Sequence, residues 1–270
     1  MHIISSTSPS QAGGPPEQTH FVVASRAMTE LLAMAESAAK SPATILITGE
    51  SGVGKDLVAR YVHCQSTRRL APFVRVNCAG LTEARLESEL IGHLSNEHMT
   101  GGTLFLDEVS DMSPRTQAWL LRFLENARVQ DFLSDRPRAD VRVIAATNRN
   151  LDDLAAAGQF REDLLYRLRV IHLHVPPLRE RAADVDALMR HFLARAGREL
   201  SFTDGALLAL VRYTWPGNVR ELLNVVEQLV WLSAGAVVGV QHLPVSMRSF
   251  LVANEWAEEE LTPLAPSRPH

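Results

Sequence analysis

ATILITGESGVGKDLVARYVH, residues 43–63, decides the reading of the fold. Its first six residues are short, β-branched and apolar on both faces, as a strand inside a helix-covered parallel sheet should be. The last eight, DLVARYVH, carry a helical pattern. Between them Gly49, Glu50, Ser51, Gly52, Val53, Gly54 and Lys55 spell G-x-x-x-x-G-K, followed by Asp56. In a strand–loop–helix setting this spacing suits a nucleotide phosphate. The glycines let backbone N–H groups turn toward a β-phosphate, the helix N-terminus faces it, and Lys55 reaches the β- and γ-phosphates. A Gly-rich turn is the plainer explanation of an isolated match. Here the chain has 27 Lys+Arg, of which only Lys40 and Lys55 are lysines. A chain that otherwise uses arginine has a specific reason for a lysine at 55.

Working outward, PFVRVN (72–77), TLFLD (103–107), VRVIAAT (141–147) and VIHLHV (170–175) repeat the buried-strand pattern. Helical patterns near 26–39, 54–64, 82–92, 113–127 and 161–168 alternate with them, which implies crossovers and a parallel α/β sheet. After Pro176-Pro177 the strand signals stop. Helices are expected at 182–197, 204–213 and 218–233, so 21–176 reads as an α/β subdomain and 177–245 as an all-helical second one. Residues 1–20, rich in Ser, Pro, Gly and Gln, read as a disordered leader. Residues 246–270, with EWAEEE and three prolines, read as a solvated acidic tail.

Composition excludes several classes. Apolar residues are 46% and charged residues 21% of the 270, an ordinary globular balance. A net charge of −4 gives no electrostatic case for nucleic acid. Cys64 and Cys78 read as buried thiols, without a disulfide framework. No signal peptide and no uncharged apolar run of about 18 residues is present. A cytoplasmic protein is expected.

LFLDE ends in Asp107 and Glu108. An aspartate leaving a parallel strand beside the phosphate loop can hold Mg²⁺, and Glu108 can then orient and polarise water as a general base. A strand-ending acidic turn is the plainer alternative. Asn77, ending a neighbouring strand, is a candidate partner restraining Glu108, or simply a cap.

With these residues in place, 22–245 resembles the AAA+ ATPase domain of bacterial sigma-54 enhancer-binding transcription regulators. GESGVGKD (49–56), PFVRVNCA (72–79), ESELIGH (87–93), GGTLFLDEV (101–109), VRVIAATNRNL (141–151), FREDLLYRL (160–168), PPLRER (176–181) and WPGNVREL (215–222) carry the likeness. The resemblance implies a P-loop NTPase with a five-stranded parallel sheet and a small helical lid, using ATP and Mg²⁺. It also implies a ring, usually a hexamer, with ATP between subunits. Thr147 and Asn148 match the γ-phosphate sensor, and Arg220 the lid's sensor. Asn218 and Glu221 read as a capping pair that fixes Arg220 in the first helical turn. Arg161 and Arg167 match arginine fingers given to the neighbouring subunit; six residues apart they lie about 240° apart on a helix, so Arg161 must sit at its entrance. Surface pairing with Glu162 or Asp163 is the alternative. Ala24 and Ser25 stand where the family has a Gly-x-Ser stretch near adenine.

The chain departs from that family in three ways. It shows no N-terminal sensory domain and no helix-turn-helix after Leu243, so no DNA-binding part of its own is expected. Where the family inserts a GAFTGA-bearing loop that touches sigma-54, only LSNEHMT (94–100) stands. A metal site at His93, Glu97 and His98 lacks further ligands. The expected function is an ATP-binding, ATP-hydrolysing regulator that cannot contact sigma-54 or DNA by itself. It would act in a ring of its own or in a mixed ring with a full-length enhancer-binding protein. A non-enzymatic scaffold, a decayed fragment and a conventional activator stay open.

Overall fold

A computed structural model describes residues 2–8, 17–79, 83–94, 101–126, 140–232 and 237–253. Two units divide the chain, one of residues 2–21 and 26–176 and one of residues 22–25 with 177 onward.

The leader departs from expectation. Strands β1 (His2–Ser8) and β2 (Glu17–Val23) pair as a two-stranded sheet. The prolines and glycines that made 1–20 read as disordered fall at 9–16, outside the described residues, and the flanking β-branched runs are free to pair.

In the first unit, β3 (Ile45–Thr48), β4 (Phe73–Asn77), β5 (Thr103–Asp107), β6 (Arg142–Thr147) and β7 (Ile171–His174) form one sheet ordered β4-β5-β6-β3-β7. Every described pairing in it is parallel, as the alternating strand and helix signals required. The central β5 and β6 are buried along their whole length. Leu104, Phe105, Leu106 and Ile144 have no exposed surface, and each stabilises the fold by roughly 1.5–3 kcal/mol relative to exposure. At the edge, β4 alternates instead, with Arg75 and Asn77 exposed. Helices α1 (Arg26–Ala39), α2 (Lys55–Cys64), α3 (Glu83–Leu94), α4 (Pro114–Asn126), α5 (Leu151–Ala156) and α6 (Glu162–Leu168) complete this unit. The guanidinium of buried Arg142 donates to the carbonyls of Ala38 and Ala39 at 2.8 and 3.1 Å, closing the C-terminal end of α1. Burial lowers that guanidinium to about 10.

In the second unit, α7 (Ala183–Arg195), α8 (Asp204–Arg212), α9 (Asn218–Leu232) and α10 (Val245–Ala253) surround one core. A short parallel pair, β8 (Ser201–Phe202) with β9 (Val237–Val238), interrupts the expected all-helical pattern. Two residues per strand leave too little periodicity to be seen in sequence. The unit also continues past 245, because α10 buries Met247 and Leu251 in the core. Its apolar residues at i and i+4 were masked by the acidic tail that follows. Trp215 is fully buried; its indole N–H donates to the Leu210 carbonyl at 2.9 Å, and its ring meets Tyr213 edge-on.

Candidate functional site

The sheet register assembles the site. Thr48 lies opposite Thr147, Asn77 opposite Asp107, and β5 pairs with β6, so four strands far apart in sequence end on the same side of one sheet. In open α/β folds the C-terminal ends of strands are where ligands bind.

The phosphate loop follows β3 directly. Gly49, Gly52 and Gly54 all have positive φ, of 152°, 79° and 98°. Gly49 is the strictest case: a Cβ there would stand 2.7 Å from the Val175 carbonyl oxygen. Glu50, Ser51 and Val53 fill the turn, and Lys55 and Asp56 open α2. Lys55 is 7% exposed and its ammonium donates to the carbonyls of Gly49 and Glu50 at 2.9 and 3.2 Å. Glu108 Oε1 stands 3.6 Å from the same ammonium. Lys55 therefore already faces an anionic oxygen. Just before the loop, the Thr48 hydroxyl lies 2.8 Å from His172 Nε2 and 3.1 Å from His174 Nδ1, a cluster sequence reading passed over.

Glu108 takes a left-handed conformation, φ 55° and ψ 53°, immediately after β5. A bulky residue adopts it only where the surroundings over-determine it. The surroundings here are Lys55 on Oε1 and the Asn148 backbone N–H, which donates to Oε2 at 3.1 Å. The strand end carrying Thr147 and Asn148 is thus tied to the acid. The Thr147 hydroxyl, fully buried, accepts from the Arg149 N–H at 3.1 Å and fixes the turn that aims Asn148. Asn77 differs from one expectation: its Oδ1 accepts from the Ala79 N–H at 3.0 Å, so it closes its own turn while Asn148 holds Glu108. This is the local side-chain-to-backbone bond that asparagine makes readily.

Asp107 is held by a residue the sequence reading missed. Arg75 Nη2 donates to Asp107 Oδ2 at 2.6 Å. The signal was the period-2 pattern of PFVRVN, which puts Arg75 and Asn77 on one face of β4. Asp107 offers the hard carboxylate oxygens Mg²⁺ prefers, and a cation already stands against one of them, so the residue fits that ion.

Arg161 is the residue immediately before α6, the helix entrance the spacing required. Its backbone N–H donates to Gln117 Oε1 at 3.0 Å. Its guanidinium pairs with Asp163 at 3.0 and 2.8 Å and holds that carboxyl below its ordinary range. Arg167, in the last turn, donates to the Leu124 carbonyl at 3.2 Å. Beside it Leu121, Glu125, Asp163, Tyr166 and Val170 line a cavity of about 320 Å³.

In the second unit, Arg220 is exposed in the first turn of α9. The expected capping pair is half right. Glu221 Oε2 accepts from the Gly217 N–H at 2.8 Å. Asn218 is instead fully buried at φ 54°, and its Oδ1 accepts from the Leu178 N–H at 2.7 Å, tying PPLRER to WPGN. Ser25 and Ala24 are held by Asp184, whose carboxylate accepts from both backbone N–H groups at 2.6 and 2.7 Å and from the Ser25 hydroxyl at 2.8 Å.

Residues 95–100, most of the LSNEHMT segment, lie outside the described residues, as do the side chains of His93, Glu97 and His98. Among the described residues no cluster of His, Cys, Asp or Glu could hold a metal ion by itself, and no helix is long and apolar enough to cross a membrane.

Residues 21–174 match the sigma-54 interaction domain, and 179–257 match the AAA+ ATPase lid domain. The chain belongs to the sigma-54 interaction domain family. Within this AAA+ family it is similar to the Nif-specific regulatory protein of Azospirillum lipoferum, 43% identical over 238 residues, which are 82% of this chain and 38% of that protein. It is likewise 43% identical over 259 residues to the transcriptional regulatory protein ZraR of Klebsiella oxytoca, covering 89% of this chain and 58% of that one. Among solved structures, NtrX from Brucella abortus in complex with ADP superposes with a TM-score of 0.78 at 38% identity, over 86% of this chain and 56% of NtrX. NtrX is also known in complex with ATP, with a TM-score of 0.76. The chain spans 38% to 58% of the length of these relatives.

Proposed function

We propose that this sigma-54 interaction domain protein binds and hydrolyses ATP and regulates transcription as part of an AAA+ ring, in which a partner protein supplies the sigma-54 contact. The observation that supports the chemistry best is the meeting of Lys55, Glu108 and Asn148 from three separate segments. Bound at Asp107, Mg²⁺ would supply charge neutralisation for the phosphates. Gly49 to Asp56 present the loop N–H groups and the Lys55 ammonium to the phosphate oxygens. Once phosphate engages Lys55, Glu108 Oε1 is free to accept a proton from water, while the Asn148 N–H keeps Oε2 in place. Asn77, opposite Asp107 in the sheet, can donate its side-chain amide to the Glu108 carboxylate when Asn148 turns to the γ-phosphate. Thr147 anchors that turn, Arg220 meets the nucleotide from the lid, and Arg161 and Arg167 meet transition-state charge on the neighbouring subunit.

The partner requirement rests on the chain between α3 and β5. Helix α3 ends at Leu94 and Gly101 is already bonded to Asp140 at 2.7 Å, which leaves residues 95–100. Six residues that leave and return reach at most about 10 Å from their base. The residues LSNEHMT include no aromatic side chain to offer a partner. The test is co-purification of this chain with full-length sigma-54 activators, with and without ATP. Failure to bind any of them, or open-complex formation at sigma-54 promoters by this protein alone, would overturn the partner reading.

A further inference from the structure

We infer that Arg75 is a positioning residue that competes with the divalent cation for Asp107. The inference rests on the nucleotide reading above and adds a control on metal loading. In the parallel β4–β5 register Asn77 faces Asp107, so Arg75, two residues earlier on the same strand face, reaches Asp107 on the diagonal. Its Nη2 donates to Oδ2 at 2.6 Å. The Asp107 side chain is 12% exposed and the Arg75 side chain 42%, so the arginine has solvent available and still takes the carboxylate. A carboxylate this sheltered is costly without a cation, and Arg75 supplies one.

A divalent ion held directly by Asp107 would use the same oxygens. It must either displace the guanidinium from Oδ2 or settle on Oδ1 against a neighbouring positive charge. Both lower its affinity. Only competition for the carboxylate oxygens releases Asp107 from this pair. The device sits on an edge strand, where Arg75 can swing toward solvent without disturbing half-buried Val74 and buried Val76 on the opposite face.

The experiment titrates Mg²⁺ into wild-type, Arg75→Gln and Arg75→Lys proteins holding a fixed amount of mant-ATP, and reads fluorescence anisotropy. Arg75→Gln should lower the Mg²⁺ midpoint by about threefold, the scale of a partly exposed ion pair. Arg75→Lys, which keeps the charge, should lie nearer wild type. Thermal melting with Mg²⁺ alone adds a second readout: the ion should raise the melting temperature more in Arg75→Gln than in wild type. A midpoint in Arg75→Gln equal to or above wild type, or a reversed order of the two variants, overturns the inference. Absence of mant-ATP binding by wild type at every Mg²⁺ level would instead overturn the nucleotide reading itself.

Discussion

Lys55 Nζ lies 3.6 Å from Glu108 Oε1, so the lysine of the G-x-x-x-x-G-K loop and the acid that follows β5 form an ion pair. The pair makes each group's availability depend on the other's ligand. Substituting either should therefore separate binding from turnover. Lys55→Ala should abolish mant-ATP binding. Glu108→Gln should keep binding and lower ATP turnover by on the order of 10²- to 10⁴-fold, the usual worth of a general base. Equal turnover in wild type and Glu108→Gln would remove Glu108 from the reaction and favour a nucleotide-dependent scaffold.

Arg161 is bonded to Asp163 within its own chain, and both side chains are about half exposed. Such a pair contributes little to folding. Arg161→Ala should leave the melting temperature and mant-ATP affinity unaltered while removing turnover. Mixing that variant with Lys55→Ala protein should restore activity, because one supplies the intact nucleotide loop and the other the arginine. No restoration in the mixture means that Arg161 does not act across a subunit boundary.

His63 is fully buried, with Nδ1 2.9 Å from the Thr103 hydroxyl, and burial lowers its pKa from 6.5 to about 4. The unfolded chain takes up a proton as pH falls through 6.5, whereas the folded chain resists until about pH 4. Stability is thus intact above pH 6.5 and lost as pH falls toward 4, by about 2 kcal/mol at pH 5. Urea denaturation at pH 7 and pH 5 measures it. A His63→Gln variant should show a much flatter difference between the two.

Asn218 Oδ1 is the acceptor for the Leu178 N–H. Asn218→Ala orphans a buried donor and puts alanine at positive φ, at a combined cost of about 2–5 kcal/mol. Asn218→Asp retains the acceptor and should stay closer to wild type in urea melts. Similar losses in both variants would show that the Leu178 bond is not what Asn218 contributes.

Some of this was legible in the chain because it depends on local period and spacing. Buried β-branched runs gave β3, β5 and β6, and G-x-x-x-x-G-K needs only its own strand and helix to have meaning. Other features were hidden for opposite reasons. In 1–20, Pro and Gly confined to a central stretch outweighed two flanking strand signals. Past 245, an acidic run obscured the i, i+4 contacts of Met247 and Leu251. Asn218 looked like a cap because the donor it accepts from instead, the N–H of Leu178, is 40 residues away.

The parallel α/β architecture, the G-x-x-x-x-G-K loop and the acidic pair are each written in consecutive residues. Only the tertiary structure decided which charges meet: Lys55 with Glu108, Glu108 with Asn148 rather than Asn77, and Arg75 with Asp107. Those pairings are set by the register between parallel strands. Register depends on how whole strands pack against their helices, and no single stretch of the chain encodes it.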